Sequence, residues 1–324
     1  MEKINVAILG YGNLGKGVET GLKNAEDMNL VGVFTRRDPS TVKSETKAYH
    51  IDELANFKDK IDVLIMCGGS KSDIPEQGPI MAKDFNTVDS FDTHAKVPAY
   101  FDKMNEISLQ NKKVSIISTG WDPGLFSINR VLAQAVLPQG ETYTFWGKGV
   151  SQGHSDAVRR IKGVKDAKQY TIPNTELVEQ IKNKNHVEYQ NNTAHKREVF
   201  VVLENGSDQN EIERQIKTMP DYFADYETTV HFIDEQTMIK DHSGIPHGGE
   251  VLRLGQTGNE GKSLYGFSLD LTSNPEFTAS VNIAFARAAY KLSKANQYGA
   301  KTVLDIPIAM LSKHDGEYLR AHML

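Results

Sequence analysis

Asp92 and Asp122 stand just beyond two successive strand-like runs, Thr87–Asp89 and Val114–Ser118. Ionised aspartates accept N–H bonds and offset positive charge, so the two together suit an ammonium group. Taken singly, each reads more simply as a helix cap, Asp122 ahead of Pro123 and Asp92 ahead of a helical stretch near Ala95. The pair gains meaning from the first strand, where Val6-Ala7-Ile8-Leu9 runs directly into Gly10-Tyr11-Gly12-Asn13-Leu14-Gly15. Glycines in that spacing, after an apolar run and opening a helix, permit a tight turn and close approach of backbone to a pyrophosphate, with the helix N-terminus facing its charge. An NAD site usually places Asp or Glu at the end of the second strand, about 20 residues on. Here Leu30–Phe34 runs instead into Thr35-Arg36-Arg37, whose hydroxyl and two guanidinium forks suit a dianionic 2′-phosphate. The expected cofactor is therefore NADP, with Asp38, one residue later, counting against it. Without a glycine motif before it, an arginine pair after a strand would be solvated surface charge. A nicotinamide accepts hydride itself, so such a protein needs groups that fix the reacting carbon and manage protons, and the Asp pair falls beside the expected nicotinamide.

The elements that must position these residues alternate between strand and helix to about residue 120. Runs at 30–35, 63–67, 87–89 and 114–118 are separated by amphipathic stretches around 74–84 and 96–111. This is the pattern of a parallel, Rossmann-type sheet with crossover helices, in which ligands bind outside the strand C-termini. The glycine loop, Gly68-Gly69-Ser70, Ser90-Phe91-Asp92 and Thr119-Gly120-Trp121-Asp122 all fall at those ends. Gly68, Gly69 and Ser70 either bring backbone N–H groups to the cofactor or form only a turn. With Cys67 they are counted among the cofactor-binding residues. From about residue 142 strand runs dominate (142–150, 197–203, 228–233, 250–254 and 264–271), predicting an α+β domain with a mixed or antiparallel sheet. A helix is expected over 208–219, stopped by Pro220, and a long one from Asn274-Pro275-Glu276 to about Ala295. The expected division is a dinucleotide-binding domain over 1–121, rejoined by 296–324, and a second domain over 122–295.

That second domain holds polar residues in unusual local sequence. Gly147–Asp156 is too glycine-rich to continue a strand and reads as a loop or a helix entry, with Asp156, Arg159 and Arg160 starting a helix. His195-Lys196-Arg197 opens a strand, and Gly244–Gly249 is turn-rich around His247. No histidine spacing supports a metal, and His242 and His247, five apart on a loop, are poor grounds for zinc.

Composition excludes several classes. With 324 residues the chain suits two domains, and 39% hydrophobic with 24% charged residues is ordinary for a globular protein. A net charge of −5 without basic tracts leaves no nucleic-acid footprint. No apolar run approaches the roughly 18 residues of a bilayer span, and the first strand starts too early for a signal peptide, so the expected location is the cytoplasm with no membrane partner. Cys67, the single cysteine, excludes an intrachain disulfide and reads as a buried small residue after Val63–Met66.

Taken together, the glycine motif, Ser118–Gly124, Phe126–Arg130, Phe145-Trp146-Gly147, Ser151–Ala157, Thr218–Phe223 and Pro246–Gly249 resemble the NADP-dependent diaminopimelate dehydrogenase family over essentially the whole chain. Trp121-Asp122-Pro123-Gly124 and Gln152-Gly153-His154-Ser155-Asp156 are far more specific than the glycine fingerprint, which many dehydrogenases share. The resemblance implies oxidative deamination of the D-centre of meso-2,6-diaminopimelate by NADP⁺, giving L-2-amino-6-oxopimelate, which cyclises to tetrahydrodipicolinate, with ammonia and NADPH. In reverse this is reductive amination for lysine and cell-wall precursor synthesis. It also implies that Asp92 and Asp122 meet the reacting centre and that Trp121 and Trp146 line the pocket. Gln152, Gly153 and Asp156 would bind further polar groups, while Thr171, Arg197, His247 and Asn274 would hold the far L-amino acid end. A homodimer built on the second domain is implied as well. Two other readings use the same motifs: another two-domain NADP imine or carbonyl reductase, like dihydrodipicolinate reductase, and a non-catalytic NADP sensor. The first predicts no ammonia-dependent NADPH oxidation. The second needs neither the Asp pair nor the second domain's polar cluster.

Overall fold

In the computed structural model, which describes residues 3–259 and 261–324, the chain forms two units, one of residues up to Ile128 with Pro275–Leu324 and one of Asn129–Asn274. The first is built on strands β1 (Ile4–Leu9), β2 (Met28–Thr35), β3 (Ala48–His50), β4 (Val63–Met66), β5 (Asn86–Asp89) and β6 (Val114–Ile116). With a C-terminal strand, Gly299–Lys301, they make a parallel seven-stranded sheet. Its order, from the C-terminal strand, is β6, β5, β4, β1, β2 and β3. The order reverses between β1 and β4, which opens a crevice at their C-terminal ends.

Both faces of this sheet are covered, which is why its central strands are continuous apolar runs rather than alternating ones. Val6, Ile8, Val63 and Ile65 pack on one face with Val18, Val281, Ile283 and Phe285. Ala7, Leu9, Leu64 and Met66 pack on the other with Leu54, Ile61 and Phe85. The long helix Asn274–Lys294 therefore belongs to this core from Pro275 onward, a correction to the expectation that it lies in the second domain. Helical spacing showed which side of it is apolar, but not which sheet that side covers. The returning C-terminal segment was expected here, and Gly299–Lys301 pairs with β6.

The second unit carries β7 (Gln139–Trp146), β8 (Gly149–Val150), β9 (Val164–Pro173), β10 (His195–Leu203), β11 (Thr228–Phe232), β12 (His247–Gln256) and β13 (Ser263–Leu271). They form two sheets, one ordered β11-β10-β9-β8 and one ordered β13-β12-β7. The first is mixed, since β10 and β11 run parallel, and the second is antiparallel. The expected single run 142–150 breaks at Gly147, whose φ of 115° and close approach to the Thr171 carbonyl admit no side chain. The helices Gln152–Arg159 and Gln209–Lys217 bury Val158, Ile212 and Ile216 against Val199 and Val201. The first of these starts at Gln152, not near Asp156, because Ser151 caps it by accepting the His154 N–H.

Candidate active site

In the first unit the glycine loop forms as expected. Gly10 has φ of 94°, and a Cβ there would sit 3.1 Å from the Cys67 carbonyl carbon and the Gly68 nitrogen. A Cβ on Gly15 would lie 2.3 Å from the Gly10 carbonyl oxygen, so this position admits no side chain. Gly12 faces open space ahead of the helix Asn13–Leu22, whose first N–H groups are available to an anion. A cavity of about 370 Å³ is lined by Gly10, Tyr11, Gly12, Thr35, Arg36, Arg37, Cys67, Gly68 and Gly69. Asn13, Leu14, Gly15 and Ser70 are not among its lining residues. Glycine backbone on two sides and two guanidinium groups at one end fit a dinucleotide carrying a 2′-phosphate.

The basic end is ordered by Tyr11 and Thr35 together with Asp73, which the sequence did not single out. Arg36 Nη2 lies 2.6 Å from Asp73 Oδ1, and Asp73 Oδ2 accepts the Gly69 N–H at 2.9 Å. Arg37 donates to the Tyr11 carbonyl at 2.7 Å, and its own N–H bonds Thr35 Oγ1 at 3.1 Å. Asp38, the residue that counted against NADP, instead caps the turn Pro39–Thr41 by accepting the Ser40 N–H and hydroxyl. Burial pushes the Cys67 thiol pKa up, so it stays a neutral thiol, as its apolar run suggested.

Neighbouring loops carry the Asp pair. Asp92 is exposed, and its N–H donates to Ser70 Oγ at 2.8 Å, which ties the Asp92 loop to the Cys67–Ser70 loop. It does not cap the following turn, His94–Lys96, where Thr93 holds the cap position. Asp122 is partly buried, beside Trp121, whose ring meets Phe126 edge-on at 5.2 Å. The Leu125 N–H donates to the Gly120 carbonyl at 3.0 Å, closing the turn that carries Trp121 and Asp122.

In the second unit Arg197 and Thr171 are cross-strand partners on β10 and β9, and Arg197 Nη1 donates to Thr171 Oγ1 at 2.6 Å. Arg197 is 9% exposed, lies 4.0 Å from the Tyr226 ring centroid, and has its Nε without a hydrogen-bond partner. Burial lowers its pKa. A buried guanidinium with spare donors is a receptor for a carboxylate. His154, between Ser151 Oγ at 2.8 Å and the rings of Tyr222 and Phe223, has its pKa lowered to about 4 by burial and then by the Arg197 charge, so it is neutral at pH 7. Gln152 and Gly153 are exposed at the start of their helix, and Asp156 is paired with Arg159. The His247 ring packs against Gly149, where a Cβ would sit 2.4 Å from the imidazole. The Asn274 N–H donates to the Ile245 carbonyl at 3.0 Å. His195, which the sequence marked only as the start of a strand, accepts the Trp146 N–H at Nε2 (2.9 Å), while Nδ1 lies 2.9 Å from the Asn191 carbonyl, so it fixes the backbone that presents Trp146. No group of His, Cys, Asp and Glu fit to hold a metal occurs among the described residues.

The fold and the glycine-lined cavity define a Rossmann-type dinucleotide-binding protein with a second α+β unit. Residues 120–273 match the family model "Diaminopimelic acid dehydrogenase C-terminal domain". The chain is 56% identical over 326 residues to a meso-diaminopimelate D-dehydrogenase of Ureibacillus thermosphaericus, covering 100% of both. Among solved structures it resembles a Corynebacterium glutamicum DAP dehydrogenase in complex with DAP, with a TM-score of 0.93, 45% identity and 100% coverage of both chains. It also resembles an engineered D-amino acid dehydrogenase bound to NADP⁺, with a TM-score of 0.88 and 43% identity over 99% of this chain and 100% of that one. The chain belongs to the diaminopimelate dehydrogenase family.

Proposed function

We propose that the protein catalyses the reversible, NADP-dependent oxidative deamination of the D-centre of meso-2,6-diaminopimelate, giving L-2-amino-6-oxopimelate, ammonia and NADPH. The observation that carries this reading is a glycine-lined cavity ending in Arg36 and Arg37, in a chain whose relatives along their full length are meso-diaminopimelate D-dehydrogenases. NADP, when bound, supplies the hydride acceptor. Gly10, Gly12 and the start of the helix Asn13–Leu22 hold its pyrophosphate, and Thr35, Arg36 and Arg37 its 2′-phosphate.

Asp92 and Asp122 receive the ammonium of the reacting carbon. It must lose a proton before that carbon can give up hydride, and Asp122, directly or through a water it orients, takes that proton with Asp92 assisting. The imine left behind adds water and releases ammonia. Trp121 and Trp146 wall the substrate, and Gln152, Gly153 and Asp156 bond its polar groups. Arg197 with Thr171, His247 and Asn274 holds the far L-amino acid end, chiefly its carboxylate. Only by fixing the end that does not react can a protein tell apart the two stereocentres of a symmetric-looking diacid, and a hydrogen-bonding receptor rejects a mismatched end far better than an apolar pocket does.

A homodimer in the cytoplasm completes the proposal, the dimer resting on the family resemblance and checked by sedimentation. Asp122→Ala tests the catalytic assignment: turnover falls by a factor of roughly 100 or more while NADP⁺ affinity holds. Equal loss of both would remove Asp122 from the chemistry.

A further inference from the structure

Asp89 ends β5 with no solvent exposure. Its Oδ1 accepts the N–H of Phe91 at 2.9 Å and of Ser118 at 3.2 Å, and its Oδ2 accepts the Tyr100 hydroxyl at 2.8 Å. Its carbonyl accepts the Thr119 N–H at 2.8 Å. One residue thus ties the loop leading to Asp92 to the loop leading to Asp122. Asn282, on the helix Asn274–Lys294 and also without exposure, joins the same two loops from another side. Its Nδ2 donates to Ser90 Oγ at 2.8 Å, and its Oδ1 accepts the Thr119 hydroxyl. Ser118, between the anchors, has φ of 58°, a left-handed conformation unusual for a residue with a side chain, and it aims its N–H at Asp89.

Packing alone gives no reason for this arrangement. A buried carboxylate and a buried amide are costly in a core that apolar side chains could fill, and they are tolerated when fully bonded networks hold one geometry. Apart from the Tyr100 hydroxyl, the partners of these two side chains all belong to residues 90–91 and 118–119, a few positions ahead of the two aspartates. Catalytic groups on loops need such support to keep their spacing.

We infer that Asp89 and Asn282 are positioning residues that set Asp92 and Asp122 in register for the reaction. They touch neither substrate nor cofactor and act only through the two loops. The inference rests on the proposed roles of Asp92 and Asp122, and the variants separate the two claims.

The test is steady-state oxidation of meso-diaminopimelate by Asp89→Ala, Asn282→Ala and Asp89→Asn, with NADP⁺ binding titrated on each. Asparagine keeps an acceptor for Phe91 and Ser118 and donates to the Tyr100 oxygen, so Asp89→Asn should retain kcat within threefold. The alanine variants should lose kcat by at least tenfold while the NADP⁺ dissociation constant stays within twofold. Where Asp89→Ala does not fold, Asn282→Ala and Asp89→Asn carry the test on the same criteria. Alanine variants with kcat within twofold of the parent, or with NADP⁺ affinity falling in step with kcat, overturn the inference. So does an Asp89→Asn variant as impaired as an alanine one. If Asp122→Ala also leaves turnover intact, the proposed role of Asp122 falls; if Asp122→Ala abolishes turnover and the alanine variants do not, only the positioning inference falls.

Discussion

Replacing Arg197 with methionine should make the free protein more stable and less active. Arg197 is 9% exposed, and its guanidinium donates to Thr171 Oγ1 at 2.6 Å and faces the Tyr226 ring at 4.0 Å. No carboxylate lies within ion-pair distance of it among the described residues. Burying a charge costs several kcal/mol even after relaxation, and exchanging a buried ionic group for an apolar one of similar volume often gains about 1–4 kcal/mol. The threonine bond and the cation–π contact return part of that cost. A net gain of about 1–2 kcal/mol for Arg197→Met follows, which in a unit of this size raises Tm by roughly 3–6 °C. The same change removes the charged fork for the substrate carboxylate. Losing one partner of a buried charged pair costs about 2–5 kcal/mol, roughly a 30- to 5,000-fold fall in kcat/KM for meso-diaminopimelate. Calorimetry without ligands and initial rates on the same preparation measure both. A lower Tm together with an unchanged kcat/KM would refute the view of Arg197 as a strained receptor awaiting an anion.

Other perturbations give sharper tests of single residues. Burial raises the Asp89 pKa to about 6, with bonds from Phe91, Tyr100 and Ser118 opposing it only in part. The folded state therefore holds this proton more tightly than the unfolded chain. Its stabilising contribution is complete below about pH 4 and is lost as pH rises through about 6, by about 3 kcal/mol in all. Asp89→Asn should remove that loss, so denaturant unfolding of variant and parent should diverge between pH 4 and 6, and parallel curves would place the carboxylate in a far more polar setting. Arg36→Ala should weaken NADP⁺ binding by roughly tenfold and leave NAD⁺ binding unchanged. The effect falls at the low end for a charged contact because Arg36 already pairs with Asp73 at 2.6 Å, and unchanged NADP⁺ affinity would remove Arg36 from the phosphate site.

Much of the first unit was legible because its signals are local. Val6–Leu9 followed by three glycines marks a strand, a turn and the start of a helix, and the buried run at Val63–Met66 carries no polar alternation to confuse it. β3, three half-buried residues at a sheet edge, is too short to leave a pattern. β9, Val164–Pro173, was hidden by Lys165, Asp166 and Lys168, which interrupt its apolar residues. Asn274–Lys294 showed its apolar face clearly, yet the core that receives that face lies far away in sequence. The same limit applied to the site. Arg36, Arg37, Asp92 and Asp122 announce themselves by following strands, whereas Asp73, His195 and Asn282 act through partners that no spacing in the chain reveals. Asp89 was visible only as the end of a strand.

Following NADP⁺ reduction at 340 nm at alkaline pH with meso-, LL- and DD-diaminopimelate as separate substrates tests the reaction and the recognition of both substrate ends together. Turnover largely confined to the meso isomer is the predicted result, because it requires a D-centre for the aspartate pair and an L-centre for the Arg197 receptor in one molecule. Equal rates with the meso and DD isomers would contradict recognition of the unreacting end, and no NADPH from any isomer would contradict the proposed reaction itself.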